Sequence, residues 1–97
     1  MSMKDMYLSV FNQANWDSFF ELFEELGQKL DPAWVERARL QGIPEDISRV
    51  LLCEMGEYAF EWIEKDIPAL EDQSPATYLK TEEGAQALRA AILRMPR

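Results

Sequence analysis

Four glutamates, Glu54, Glu57, Glu61 and Glu64, have the clearest capacity for chemistry, because they recur at three- and four-residue steps. On one continuous helix this spacing places all four carboxylates on the same face. Such a row can hold a hard cation, or act as a general acid and base pair. Di-iron helical bundles also need a Glu-x-x-His motif, and the chain contains no histidine. We therefore interpret the row as a solvated helix face or, alternatively, as a docking surface for a basic partner.

Other routes to catalysis are also missing from the sequence. Without histidine there is no Ser-His or Cys-His nucleophile pair and no histidine metal ligand. The single cysteine, Cys53, lies beside two leucines, where we expect a small core residue with a raised thiol pKa. We predict that the chain is not an enzyme and needs neither a metal nor a cofactor. A carboxylate metalloenzyme built on the glutamate row stays as a third hypothesis, after two binding functions described below.

The charge of the chain restricts its partners. The formal net charge is -8, from 10 Lys+Arg against 18 Asp+Glu. This field repels phosphate backbones and anionic lipid headgroups.

No apolar run approaches the roughly 20 residues of a membrane span, and the N-terminus lacks the pattern of a secretory signal. A lone thiol fits a reducing compartment. We therefore predict a cytoplasmic protein with no direct contact to nucleic acid or membrane.

Apolar spacing is helical nearly throughout and predicts an all-α fold. A length of 97 residues and a hydrophobic fraction of 47% suit one packed domain over residues 1–97. We expect a compact bundle of five to six helices around a long central helix, with the N-terminal helices in residues 1–43. The predicted helices cover residues 5–13, 16–29, 32 to about 41, 44–65, 75–80 and 81 onward.

Capping signals set several of these boundaries. Asp31 and Ser74 each precede a proline, Thr81 precedes two acids, and Asn15 precedes the second helix. We read Gly56, in the middle of the 44–65 helix, as a point of close approach by a neighbouring helix. The second helix has an apolar stripe that we expect to face inward: Trp16, Phe19, Phe20, Phe23, Leu26 and Leu30.

The segment from Trp62 to Arg94 carries a longer pattern. An aromatic helix end is followed by the polar loop Leu70–Gln73, then by Ser74–Leu79, then by Thr81–Gly84 before a helix with spaced leucines. In this order the segment, about a third of the chain, resembles the C-terminal toxin-binding domain of Xre/MbcA/ParS-type antitoxins. The motif is Pro-x-x-x-Leu-x-Thr-x-x-Gly.

The resemblance implies that residues 44–97 form a helical, dimerising region that holds and occludes a toxin of the RES type, which in that family consumes NAD. It implies partner contacts near the C-terminal end, because the family's end commonly reaches the toxin active site. Aromatic and arginine side chains are also enriched at binding hot spots. The candidate partner-binding residues are Trp62, Tyr78, Arg89, Arg94 and Arg97.

Two departures from the family stand in the sequence. Relatives often carry an upstream helix-turn-helix, whereas residues 1–43 here are acidic and aromatic, and the usual glycine-containing tail is replaced by Met95-Pro96-Arg97. We therefore expect a stand-alone module without operator binding. The alternative is a self-associating helical adaptor of unrelated role. We also expect Gly84 to permit tight contact between the last helix and the Pro75 helix.

Overall fold

A computed structural model describes residues 2–95 and confirms the predicted all-α class. The described part of the chain has no β-strand, and its one strand-like contact is an isolated bridge between Ile67 and Gln73. The α-helices are α1 Met3–Val10, α2 Gln13–Glu21, α3 Glu24–Gln28, α4 Pro32–Leu40, α5 Glu45–Met55, α6 Ala59–Trp62, α7 Pro75–Tyr78 and α8 Glu82–Arg94. Single 3-10 turns span Gly56–Tyr58 and Pro68–Leu70.

Three of the predicted capping residues begin helices as expected. The Asp31 carboxylate accepts from Ala33 N at 2.9 Å at the start of α4, and Ser74 Oγ and Thr81 Oγ1 accept from backbone N–H groups at the starts of α7 and α8. The end of α4 also follows its sequence signal. Gly42, at φ 77°, donates to Arg39 O, and the next residue donates to Ala38 O. This pair of bonds is the Schellman arrangement that a glycine after a helix permits.

The second helix starts earlier than predicted and is divided. Asn12, not Asn15, caps α2, because its side chain accepts from the Asn15 N–H at 3.0 Å. The helix ends at Glu21 with two successive i→i−3 bonds, and α3 begins only at Glu24. Because of this turn, the side chains of α3 do not continue the apolar stripe of α2. Leu26, predicted to face inward, therefore lies on the surface with 52% of its area exposed.

The prediction of one helix from Pro44 to Lys65 is wrong. α5 ends at Met55, and Gly56 adopts φ 62° and ψ −143°, a conformation that a side chain would strain. Trp34 does lie near this glycine, since a Cβ built there would be 3.8 Å from the Trp34 ring. Two helices, α8 and α5, share the central position that we predicted for one long helix. α8 contacts α1, α2 and α7, and α5 contacts α3 and α4.

The contact predicted at Gly84 is confirmed. A Cβ built on Gly84 would lie 1.9 Å from the backbone oxygen of Tyr78, so α7 and α8 can meet only if this position has no side chain. The largest fully buried side chains are Trp16, Ile47, Ile63, Leu70, Leu88, Ile92, Val50 and Pro75. None of the helices within residues 2–95 has the length and apolar character to cross a bilayer.

Candidate docking surface

The two aromatic residues predicted to contact a partner lie in the core. Trp62, at the end of α6, is 8% exposed, and Tyr78, at the end of α7, is 2% exposed. Burial raises the pKa of the Tyr78 hydroxyl, and Glu71 and Tyr7 raise it further. Both rings pack with the buried side chains of the domain. The surface that this fold offers to a partner therefore does not include them, and we correct that part of the prediction.

Arg89 has an internal partner. Its Nε and Nη2 donate to the two carboxylate oxygens of Asp46 at 2.8 and 3.2 Å. Trp16 Nε1 and the Ile47 N–H donate to the same carboxylate, both at 2.9 Å. This polar junction ties α8 to α2 and α5. Arg89 thus holds the fold together, which sequence spacing does not reveal because the paired residues are 43 positions apart.

The polar junction sets the charge of Asp46. Burial raises the pKa of the Asp46 carboxyl, but hydrogen bonding and charge from Arg89 lower it, and the donors on Trp16 and Ile47 lower it further. The pKa of Asp46 therefore lies below its usual range.

Arg94, in contrast to Arg89, is exposed in the last turn of α8. Arg97, also predicted to contact a partner, lies outside the described residues.

The glutamate row does not form a single face. Glu54 lies on α5, Glu57 in the 3-10 turn and Glu61 on α6, with the Gly56 break between the first and the second. All four glutamates are exposed. Within residues 2–95, no three acidic or thiol side chains come together as a set of metal ligands. The assumption of one continuous helix, on which the row depended, is wrong.

Cys53 is half-buried on α5. Burial raises the pKa of its thiol, the charge of Arg49 lowers it, and the charge of Glu54 raises it, with a net raised value. A thiol with a raised pKa is mostly protonated near neutrality and is a weak nucleophile. The direction of the thiol pKa agrees with the expectation, but Cys53 is not one of the buried core residues.

Large exposed apolar side chains are concentrated in the α2–α4 part of the chain. Leu22 and Leu40 are 73% and 71% exposed, and Leu26 and Val35 are also on the surface. A groove of about 180 Å³ separates α4 from the start of α5. It is lined by Val35, Arg39, Ile43, Glu45 and Ser48. Single exposed apolar residues are ordinary, but four of them within residues 22–40 make this segment the candidate for an interaction site.

Leu22 and Leu26 stand among exposed acids at the junction of α2 and α3. The two leucines are four residues apart in the sequence, Leu22 at the end of α2 and Leu26 on α3. Both lie on the surface, as do the three glutamates that frame them. We call this set the acidic leucine face, and its members are Glu21, Leu22, Glu24, Glu25 and Leu26.

The sequence prediction missed this face because it treated residues 16–29 as one helix. One signal was available, since Leu22 falls outside the stripe of Trp16, Phe19 and Phe23 and stands beside glutamates. An apolar residue on the polar side of an amphipathic helix indicates either a break or a contact with another molecule. Here the break is present, and Leu26, which lies after it, is exposed together with Leu22.

Comparison of the chain with family models, with curated proteins and with solved structures gave no match.

Proposed function

We propose that this chain is a non-catalytic protein-binding domain, in the manner of an antitoxin's toxin-binding module, that binds and occludes a partner toxin. The observation that supports protein binding is the group of exposed apolar side chains on α2–α4, of which Leu22 and Leu40 are the most exposed. Transfer of apolar area from water to an interface contributes about 25 cal/mol per Å². These side chains gain that free energy only when another molecule covers them.

The choice of a toxin as partner is supported by the resemblance of Trp62–Arg94 alone. By that resemblance the partner is a RES-type toxin, and Arg94 is the described residue that we propose to reach its active site. Arg94 is exposed and stands at the C-terminal end of α8, so a partner can approach it without unfolding the domain.

We further propose that the homodimer implied by the resemblance forms through the groove between α4 and α5. The groove combines apolar Val35 and Ile43 with one base, Arg39, and one acid, Glu45. In a two-fold contact the same patch meets itself, so each copy can cover the apolar side chains of the other, while Arg39 and Glu45 keep their ion pairs with Glu36 and Arg49. Light scattering tests this assignment: Val35→Glu should convert a dimer to a monomer, and a dimer that persists would contradict it.

The function is tested by co-expressing the chain with the protein encoded beside it. We expect a stable complex in size-exclusion chromatography and inhibition of NAD consumption by that protein. Arg94→Glu should weaken inhibition, whereas Lys80→Glu, another exposed base, should not. If the neighbouring protein neither binds nor consumes NAD, the toxin-binding proposal fails. A dimer without any such complex favours the self-associating adaptor instead.

A further inference from the structure

The acidic leucine face has a charge composition unlike that of the α4–α5 groove. Residues 13–28 carry four acids, Asp17, Glu21, Glu24 and Glu25, and no Lys or Arg. In the described part of the chain, lysine or arginine forms ion pairs with Glu36, Glu45 and Asp46. The three glutamates of the face take part in none of these pairs. The nearest base in the sequence is Lys29, four residues after Glu25, and it forms none of these pairs either.

The nearest packed base does not neutralise the face. The Arg49 side chain from α5 lies against Gly27, with its guanidinium 4.6 Å from the centre of the Phe20 ring. Its Nη2 pairs with Glu45 at 3.2 Å. Arg49 therefore supports α3 from the inner side and directs its charge toward α5. Glu24, Glu25 and Leu26 on α3, and Glu21 and Leu22 at the end of α2, are all exposed.

We propose that the acidic leucine face docks a basic amphipathic segment of another protein, which places apolar side chains over Leu22 and Leu26 and Lys or Arg over Glu21, Glu24 and Glu25. Amphipathic helices bind grooves and faces through anchors at this spacing. Opposite charges around an apolar centre steer association and fix orientation. The inference rests on the proposed protein-binding function, and it does not require that the partner be a toxin.

Charge complementarity excludes a second copy of this chain as the occupant. A two-fold contact through the acidic leucine face would bring six glutamates together, since each copy contributes three. Like charges across an interface oppose association. A basic segment avoids this repulsion and covers the leucines.

The experiment uses a synthetic amphipathic peptide of about 18 residues, with leucines at helical spacing and lysines elsewhere. A matched peptide has glutamate at every lysine position. Isothermal titration should detect binding of the lysine peptide alone, with affinity falling as NaCl rises from about 0.05 to about 0.5 M. Binding of both peptides, or of neither, would overturn the proposal.

Two variants locate the contact. Leu22→Ser/Leu26→Ser retains every charge, and Glu24→Gln/Glu25→Gln retains both leucines. Each should weaken binding of the lysine peptide by about tenfold or more, equivalent to about 1.4 kcal/mol. The controls are Val10→Ser, which removes an exposed apolar side chain on α1, and Glu61→Gln/Glu64→Gln, which removes two exposed acids that are distant in the chain. Their affinities should stay within about twofold of the unaltered chain.

Several outcomes would overturn the proposal. If the leucine variant binds as tightly as the unaltered chain, non-specific charge attraction explains binding. If the distant-acid control weakens binding as much as Glu24→Gln/Glu25→Gln, net charge explains it. If light scattering shows a dimer that Leu22→Ser/Leu26→Ser dissociates, the occupant is a second copy. These readouts do not depend on the neighbouring gene product, so the docking face and the toxin-binding function can fail separately.

Discussion

The α2–α4 segment and the α5–α8 segment bury their apolar side chains to different extents. Between residues 13 and 40, the buried hydrophobic residues are Trp16 and Ala38, whereas α5 and α8 bury most of their apolar positions. The segment with the antitoxin-like motif therefore forms much of the core, and the segment without it offers the exposed leucines. A motif at the level of sequence can mark the part of a domain that builds the fold, while a neighbouring part offers the surface for binding.

The motif residues illustrate this division. Pro75 is buried at the start of α7, Thr81 caps α8, and Gly84 allows α8 to touch the Tyr78 carbonyl. Each of these positions has a local structural cause. Trp62 and Tyr78 lie in the core of this segment, and they are therefore unable to reach a partner.

The largest expected change in the free energy of unfolding distinguishes Gly84 from Gly27. Gly84→Leu should reduce the free energy of unfolding by about 4 kcal/mol or more, because its Cβ would meet backbone that cannot move aside. Gly27→Ala should change it by less than about 1 kcal/mol. The atoms nearest to a Cβ at Gly27 belong to the flexible Arg49 side chain, and alanine gains helix propensity. Urea unfolding measures both, and equal losses would remove the contrast between the segments.

Two leucines provide the second comparison. Leu88 on α8 is fully buried and Leu22 is 73% exposed. We expect Leu88→Ala to cost about 3 kcal/mol, through lost burial and the cavity that remains. Leu22→Ala should stay within about 0.5 kcal/mol of the unaltered chain. Thermal unfolding by circular dichroism checks both. A large loss for Leu22→Ala would mean that the acidic leucine face stabilises the fold.

Gly56 tests the break between α5 and α6. Gly56→Ala should cost about 2 kcal/mol, because φ 62° with ψ −143° strains any residue that has a Cβ. Steric space is not the cause, since the nearest Trp34 atom lies 3.8 Å from a Cβ built there. Chemical denaturation gives the value. A more stable variant would indicate that the chain runs as one helix through residue 56.

The smallest stability effect concerns pH. The lowered pKa of Asp46 stabilises the fold above the unfolded-state value of about 3.9, and this contribution is lost as the pH falls through the folded-state pKa. Asp46→Asn should cost about 1 kcal/mol near pH 6, after allowance for screening by solvent, and progressively less toward pH 2.5. Glu45→Gln removes a carboxylate that is 81% exposed and should cost less than about 0.5 kcal/mol throughout. Urea unfolding across this pH range distinguishes them, and parallel profiles for the two variants would contradict the assignment.

Local signals predicted the helix starts well, and tertiary contacts explain what they missed. Asp31, Ser74 and Thr81 act within three residues of their own position, so sequence alone identifies them. The Asp46–Arg89 ion pair joins residues that are far apart in the chain. Gly56 was visible as a glycine, but its left-handed conformation was not.

The candidate site was less predictable than the fold. Aromatic and arginine residues attract attention because they are frequent at interfaces, yet the same side chains also fill cores. Trp62 and Tyr78 fill the core. Leu26 was assigned inward because the turn at Leu22 gives no proline or glycine signal.

The central claim is that Leu22 and Leu26 bind a partner and do not stabilise the fold. The most direct measurement takes one preparation of Leu22→Ser/Leu26→Ser and determines both its unfolding free energy in urea and its affinity for the lysine peptide. We predict a free energy within about 0.5 kcal/mol of the unaltered chain together with an affinity at least about tenfold weaker. An unfolding free energy lowered by about 2 kcal/mol, or an unchanged affinity, would contradict the account.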